Sequence, residues 1–190
     1  MNSNACACNM DLIDVSGLCD IDDVTQVISQ YPYWFQMYIP ETLSIPIQKP
    51  DIEQINSVNV SVNILRTKVV KTPVSPLDAN CDFIPNLEGK ISTGRKIIVE
   101  GELCQKISYT ADERSQSVHS AHFYVPFSSY IVIPQKITFN KGTKSMKLDS
   151  LDVDYQVNAC IEDLSVSLLD ARTISKYTTL LLYAIPRNTL

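Results

Sequence analysis

Residues 87–134 read LEGKISTGRKIIVEGELCQKISYTADERSQSVHSAHFYVPFSSYIVIP, and the period of this stretch is two. Ala121, Phe123, Val125 and Phe127 take every second place, with Ser120, His122 and Tyr124 between them. A strand sends successive side chains to opposite faces, so such a segment buries one face and wets the other. Ile97, Ile98 and Val99 start an earlier strand, expected to break at Gly101 in a bulge or turn and to resume from Leu103 to Tyr109. The polar run from Thr110 to Gln116 caps a hairpin, and Tyr130 to Ile133 closes at Pro134, which has no N–H for a ladder. The stretch is a meander of three or four neighbouring strands.

The same period extends in both directions. Val58, Val60, Val62 and Ile64 alternate with Asn59, Ser61 and Asn63, a kink falls at Leu65-Arg66, and Thr67 to Val70 continue toward Pro73. Residues 74–88, rich in Pro, Asp and Asn, form a loop long enough to serve as a contact surface. Lys136 to Phe139 make a strand that turns at Asn140-Lys141-Gly142. From Leu151 to Ile161 the alternation is unbroken, then it changes register by one near Asp163 and goes on through Leu164, Val166 and Leu168. Thr173 to Ile185 is apolar on both sides at Leu180-Leu181-Leu182, as a central or covered strand is. Near the N-terminus Asp20 can cap a short helix to Gln30, with Asp22 and Asp23 in its first turn and Val24, Val27 and Ile28 on its buried side. Five aromatics lie between Tyr31 and Tyr38; they read as a core strand holding the single tryptophan, or as an exposed edge that packs on a neighbouring subunit. Leu43 to Ile47 adds a further short strand. The expectation is an all-β fold: an antiparallel β-sandwich of about eight to ten strands over residues 21–190, with an N-terminal arm over residues 1–20 and at most one short helix.

Composition limits the chemistry. A 190-residue chain buries about 70% of its unfolded surface, enough for one self-sufficient core. Its net charge of −5 argues against nucleic acid, which calls for a clustered basic surface; Arg95-Lys96 and Lys141, Lys144 and Lys147 read as solvated turns. No apolar run approaches the roughly 18 residues that cross a bilayer, and the first residues lack the basic start and apolar core of a secretion signal. Synthesis in the cytoplasm is the expectation.

No catalytic residue is nominated. The two histidines, His119 and His122, fall on opposite faces of one strand, and nearby Ser117, Ser120 and Asp112 are too close in sequence to be expected to converge. Cys104 with His119 is the remaining nucleophile–base pairing. Asp152, Asp154 and Glu162 project along a strand rather than around a calcium loop, and Cys6 with Cys8 supplies too few ligands for zinc. No cofactor or metal is expected.

Five phrases in order, IPIQKPDIEQINSVNVSV, TKVVKTP, EGKISTGRKIIVEGEL, QSVHSAHFYVPFSSYIVIP and CIEDLSVSLLDARTISKYTTLLL, resemble the SPOCS domain over residues 36–190. That module occurs in spore-coat and spore-morphogenesis proteins of endospore-forming, chiefly clostridial, bacteria. The resemblance implies a non-catalytic protein made in the mother-cell cytoplasm and deposited on the spore surface, whose partners are itself and other spore-coat proteins. Some relatives add a peptidoglycan-binding LysM module, and this chain ends before one, which weights the expectation toward a structural subunit of coat, exosporium or appendage. The alternative is a morphogenesis adaptor that recruits other coat proteins without polymerising. For the structural subunit, Cys6, Cys8 and Cys19 of the arm are expected to bond Cys81, Cys104 or Cys160 of another copy once the lysing mother cell admits oxidant.

Overall fold

Each run of alternating sequence becomes one long strand, and the strands stack as two sheets. The structure, a computed structural model, describes residues 13–141 and 144–187. Its elements are β1 (Asp14–Ser16), α1 (Ile21–Gln30), β2 (Trp34–Ser44), β3 (Ile52–Val74), β4 (Thr93–Ala111), β5 (Val118–Val132), β6 (Lys136–Lys141), β7 (Lys144–Asp149), a 3-10 turn (Ser150–Asp152), β8 (Asp154–Asp170) and β9 (Thr173–Arg187). One sheet has the order β1-β3-β4-β5 and the other β2-β9-β8, with β6-β7 a separate hairpin. The fold is the expected all-β sandwich with one short helix. Every pairing is antiparallel except β1 on β3, which is parallel.

The inner faces follow from the period. Val58, Val60, Ile97, Val99, Leu103, Ile107 and Ile131 of the first sheet meet Ile39, Leu43, Ile174, Leu180 and Leu182 of the second. The register change falls where the sequence placed it, between Ile161 and Asp163 in β8, and the kink of β3 is a shift between Ile64 and Arg66. Each bulge returns the apolar phase to the core after one extra residue.

Several boundaries differ from expectation. Gly101 does not interrupt β4, which pairs with β5 without a shift from Lys96 to Thr110. It is a glycine because the Phe127 ring lies over it; a Cβ there would come within 2.5 Å of the ring and 2.8 Å of the Asn63 carbonyl oxygen. Leu43 belongs to β2 rather than to a separate strand. Pro40 sits mid-strand, which an edge tolerates because one side of β2 makes no ladder among the described residues. Leu151 lies in the 3-10 turn capped by Asp149, so β8 begins only at Asp154.

Residues 14–19 strap one side of the sandwich. β1 pairs with Ser57 to Asn59 at the edge of β3, and Cys19 N–H donates to the Ile161 carbonyl of β8 at 3.1 Å. Helix α1 then starts at Asp20, whose side chain accepts from Asp22 N–H at 2.9 Å. It seats Val24 on Cys160 and Leu181, with Ile28 and Tyr183 packed around them, on the outer face of the β2-β9-β8 sheet.

Candidate functional site

The tip of the β4–β5 hairpin gathers the residues closest to an acid–base arrangement. Ser117 Oγ is 2.8 Å from His119 Nε2, since residues two apart on a strand share a face. The expectation that sequence proximity keeps the serine and histidine apart is corrected on this point. The geometry is still not that of a triad. The Ser117 hydroxyl donates to Glu113 Oε1, and the same oxygen is 3.8 Å from His119 Nε2. The carboxylate therefore sits on the serine side of the ring, where it takes the proton a nucleophile would give to histidine, and does not orient Nδ1. Hydrogen bonds from Ser117 and Ser115 hold the Glu113 carboxyl below its ordinary range, a stable carboxylate rather than a base.

Cys104 and His119 do not converge. Cys104 points outward from β4, whereas His119 lies opposite Tyr109 on the inward phase, with the two rings 5.9 Å apart. The five positions between Cys104 and Tyr109 amount to about 17 Å of strand. Burial, and then the neighbouring Glu102 carboxylate, push the Cys104 thiol up rather than toward thiolate. Among the described residues no cluster of His, Cys, Asp and Glu could hold a metal ion.

The cysteines divide differently from expectation. Cys19 and Cys160 form a disulfide within one chain, with Cα atoms 5.3 Å apart, inside the usual span. The Cys19–Ile161 bond brings the arm to β8 beside Cys160, and α1 covers the pair. These two are therefore committed to their own chain and corrected as bonds between subunits. Cys81 is exposed in the 75–92 loop, and Cys104 is half-buried. Cys6 and Cys8 lie outside the described residues.

The surfaces open to a partner are strand edges and an aromatic row. Among the described residues, β5 and β2 carry no strand on their outer edges, and β1 covers only Ser57 to Asn59 of β3. Trp34 is 48% and Tyr38 59% exposed, so the reading of this segment as a core strand holding tryptophan is corrected. Phe35, Met37 and Ile39 turn inward, while Trp34, Gln36 and Tyr38 turn outward. Tyr38 stacks on Tyr177 of β9 with centroids 5.4 Å apart, and Gln36 donates to Glu162 at 2.6 Å.

Sequence reasoning missed a charged pair in the core. Lys176 is fully buried and Glu41 nearly so. Their side chains form an ion pair, Gln105 Nε2 donates to Glu41 Oε1 at 2.7 Å, and the Lys176 ammonium donates to the Thr178 hydroxyl. Desolvation pulls the Lys176 pKa down, against the Glu41 carboxylate that raises it. With no opening to solvent at Lys176, the pair is a packing determinant.

Over residues 51–169, from the turn before β3 to the end of β8, the sequence matches the family described as SipL, SPOCS domain. The chain belongs to the SipL SPOCS domain family. Membership makes it a sporulation-related, spore-associated protein of a family not known for enzymatic activity. The SPOCS match takes in β3, β4 and β5 whole, whereas α1, β2 and β9 of the aromatic-faced sheet lie outside it. No curated protein and no solved structure matches the chain. No helix among the described residues is long and apolar enough to cross a membrane.

Proposed function

We propose that this SPOCS protein is a non-catalytic structural subunit of the spore's outer layers (coat, exosporium or appendage) that assembles with its own copies through strand edges and arm cysteines. The observation that carries the reading is the free side of the sandwich, where the 15-residue β5 and the 11-residue β2 both end their sheets. Unpaired edges of that length template further strands unless something covers them. Contacts that repeat head to tail without closing build a fibre or a layer. Trp34, Tyr38 and Tyr177 add apolar area beside β2, of the residue types favoured at the centre of protein interfaces. Cys81, exposed in its loop, and Cys104 are the acceptors left for Cys6 and Cys8 of a neighbour.

Sedimentation and negative-stain electron microscopy of the concentrated protein, before and after oxidation, test this. Large regular particles and a ladder on non-reducing gels are expected, with the ladder lost in a Cys6→Ser, Cys8→Ser variant. A protein that remains monomeric or dimeric under both conditions would instead support the adaptor reading, in which the 75–92 loop recruits other coat proteins. An unchanged ladder in the variant would remove the arm cysteines from the assembly.

A further inference from the structure

We propose that a cleft at the β5 edge of the sandwich, roofed by the 75–92 loop and lined by outward-phase residues of β4 and β5 with Phe35 of β2, is a binding site for a small apolar or aromatic anion. The cleft encloses about 530 Å³, within the range of small-molecule sites. Its apolar lining comes from three separate parts of the chain: Phe35 of β2, Tyr130 and Val132 of β5, and Ile91 of the loop. Phe35 and Tyr130 are stacked, with ring centroids 5.5 Å apart and planes 27° from parallel. Their stack, with Val132 and Ile91 beside it, makes the apolar side of the cleft.

The charge at the cleft has one sign. Lys90 and Lys96 line it and no carboxylate does, in a chain whose net charge is −5. Lys96 Nζ sits 3.7 Å from the centroid of the Tyr130 ring and has no carboxylate partner among the described residues. Its ammonium therefore sits at the aromatic side of the cleft, within reach of an anionic substituent on a guest held there. Lys90 is paired with Glu88 at 2.8 Å, but both side chains are well exposed, and such pairs exchange partners at little cost.

The wall is built before anything binds. Ser75 N–H donates to the Ser92 carbonyl at 2.8 Å, and Ser92 N–H donates to Ser75 Oγ at 2.9 Å. Within the loop, Asn86 Oδ1 accepts from Glu88 N–H at 3.0 Å and Lys90 N–H at 2.9 Å. A loop tied at its base and its tip loses little further freedom on binding, which favours affinity.

Two naphthalene probes of nearly equal shape isolate the charge. 8-Anilinonaphthalene-1-sulfonate carries a sulfonate, and N-phenyl-1-naphthylamine is its uncharged counterpart. The sulfonate is expected to bind one per chain and saturably, at least about tenfold tighter than the amine, the worth of one charge-assisted contact. Lys96→Gln should weaken the sulfonate about tenfold and the amine less than twofold, while Tyr130→Ala weakens both. Trp34→Ser, on the other exposed aromatic surface, should change neither, and circular dichroism of each variant reports its fold. Equal affinities for the two probes, a sulfonate affinity indifferent to Lys96→Gln, or a loss of binding in Trp34→Ser would overturn the proposal.

Discussion

The two sheets of the sandwich obey different rules. The β3-β4-β5 layer is close to what strand periodicity calls for, with apolar side chains inward, Gln105 excepted, and Asn59, Ser61, Glu102, Lys106 and His122 outward. The β2-β9-β8 layer departs from that pattern on both faces. Inside, it carries the Glu41–Lys176 pair; outside, it has an apolar patch under α1 and elsewhere displays Trp34, Tyr38 and Tyr177. The SPOCS match takes in the first layer's three long strands but of the second only β8. The lesson is that one layer supplies the rigid slab and the other carries the particular features of this chain: an internal lock, a pinned helix and a sticky surface.

Breaking the internal lock should do most to separate the layers. Lys176→Met leaves Glu41 charged and unpaired beneath the sheet, a change that costs about 3–5 kcal/mol. Replacing Glu41, Gln105 and Lys176 together by apolar residues of similar volume should return the stability to near the parent value or above it, because the desolvation penalty is then gone. Urea midpoints of the two variants decide this. A Lys176→Met protein as stable as the parent would mean that the charges are hydrated and that the layers differ less than the packing indicates.

Next in size is the pinned helix. The Cys19–Cys160 bond closes a separation of 141 residues, and removing a disulfide of that kind typically costs about 2–4 kcal/mol. Cys160→Ser, or reduction of the parent, should lower the unfolding free energy by that amount, read as a lower urea midpoint. It should also raise hydrogen exchange in α1 while leaving β3, β4 and β5 protected, since the helix packs on Cys160, Leu181 and Tyr183 of the second layer. Exchange that rises equally in both layers would deny the helix its local role.

Much of this was legible in the sequence, and what was not has physical causes. Val58 to Ile64 and the slip near Asp163 could be read because period two is a local property of a strand. Trp34 was readable too: Phe35, Met37, Ile39 and Leu43 set one phase, and Trp34 and Tyr38 fall on the other. Glu41 and Lys176 each stand on the apolar phase of their strands, a visible irregularity. Only the β2–β9 register, in which Glu41 faces Lys176, turns two irregularities into a pair, and that register joins segments far apart in the chain. Cys160 shares its phase with solvent-facing Asp154 and Gln156, and α1, contributed from the other end of the chain, is what buries it. The anion cleft is likewise non-local, since Phe35, Ile91 and Tyr130 meet only once the loop folds over the slab.

A smaller effect belongs to the helix start. Asp20 accepts from the N–H groups of Asp22 and Asp23, and Asp20→Ala should cost about 1 kcal/mol. The loss should be measurable in the oxidised protein and shrink in Cys160→Ser, where the helix is already free to leave. Equal losses in the two backgrounds would show that the cap and the disulfide act on α1 independently.

The smallest effect lies at the joint between the layers and is a matter of pH. Asp149 ends β7, and its carboxylate accepts from Leu151 N–H at 2.9 Å and from Arg95 of β4 at 3.1 Å, so it ties the slab to the entry of β8. Those bonds, the backbone one first, hold its carboxyl below the ordinary 3.8. A carboxyl whose pKa is lowered by folding contributes stability that is complete above its unfolded value and lost as pH falls through the folded one. Asp149→Asn keeps an acceptor oxygen for Leu151 but gives up the charge. The stability gap between parent and variant should accordingly stay constant at neutral pH and down to about pH 5, then narrow below pH 4 as the parent's carboxylate takes up its proton. Glu113 and Asp170 are also held low, but they are common to both proteins and cancel in the difference. A gap that keeps its size to the acid limit would mean that the Arg95–Asp149 contact contributes nothing through charge, and that the joint between the layers is held by the backbone alone.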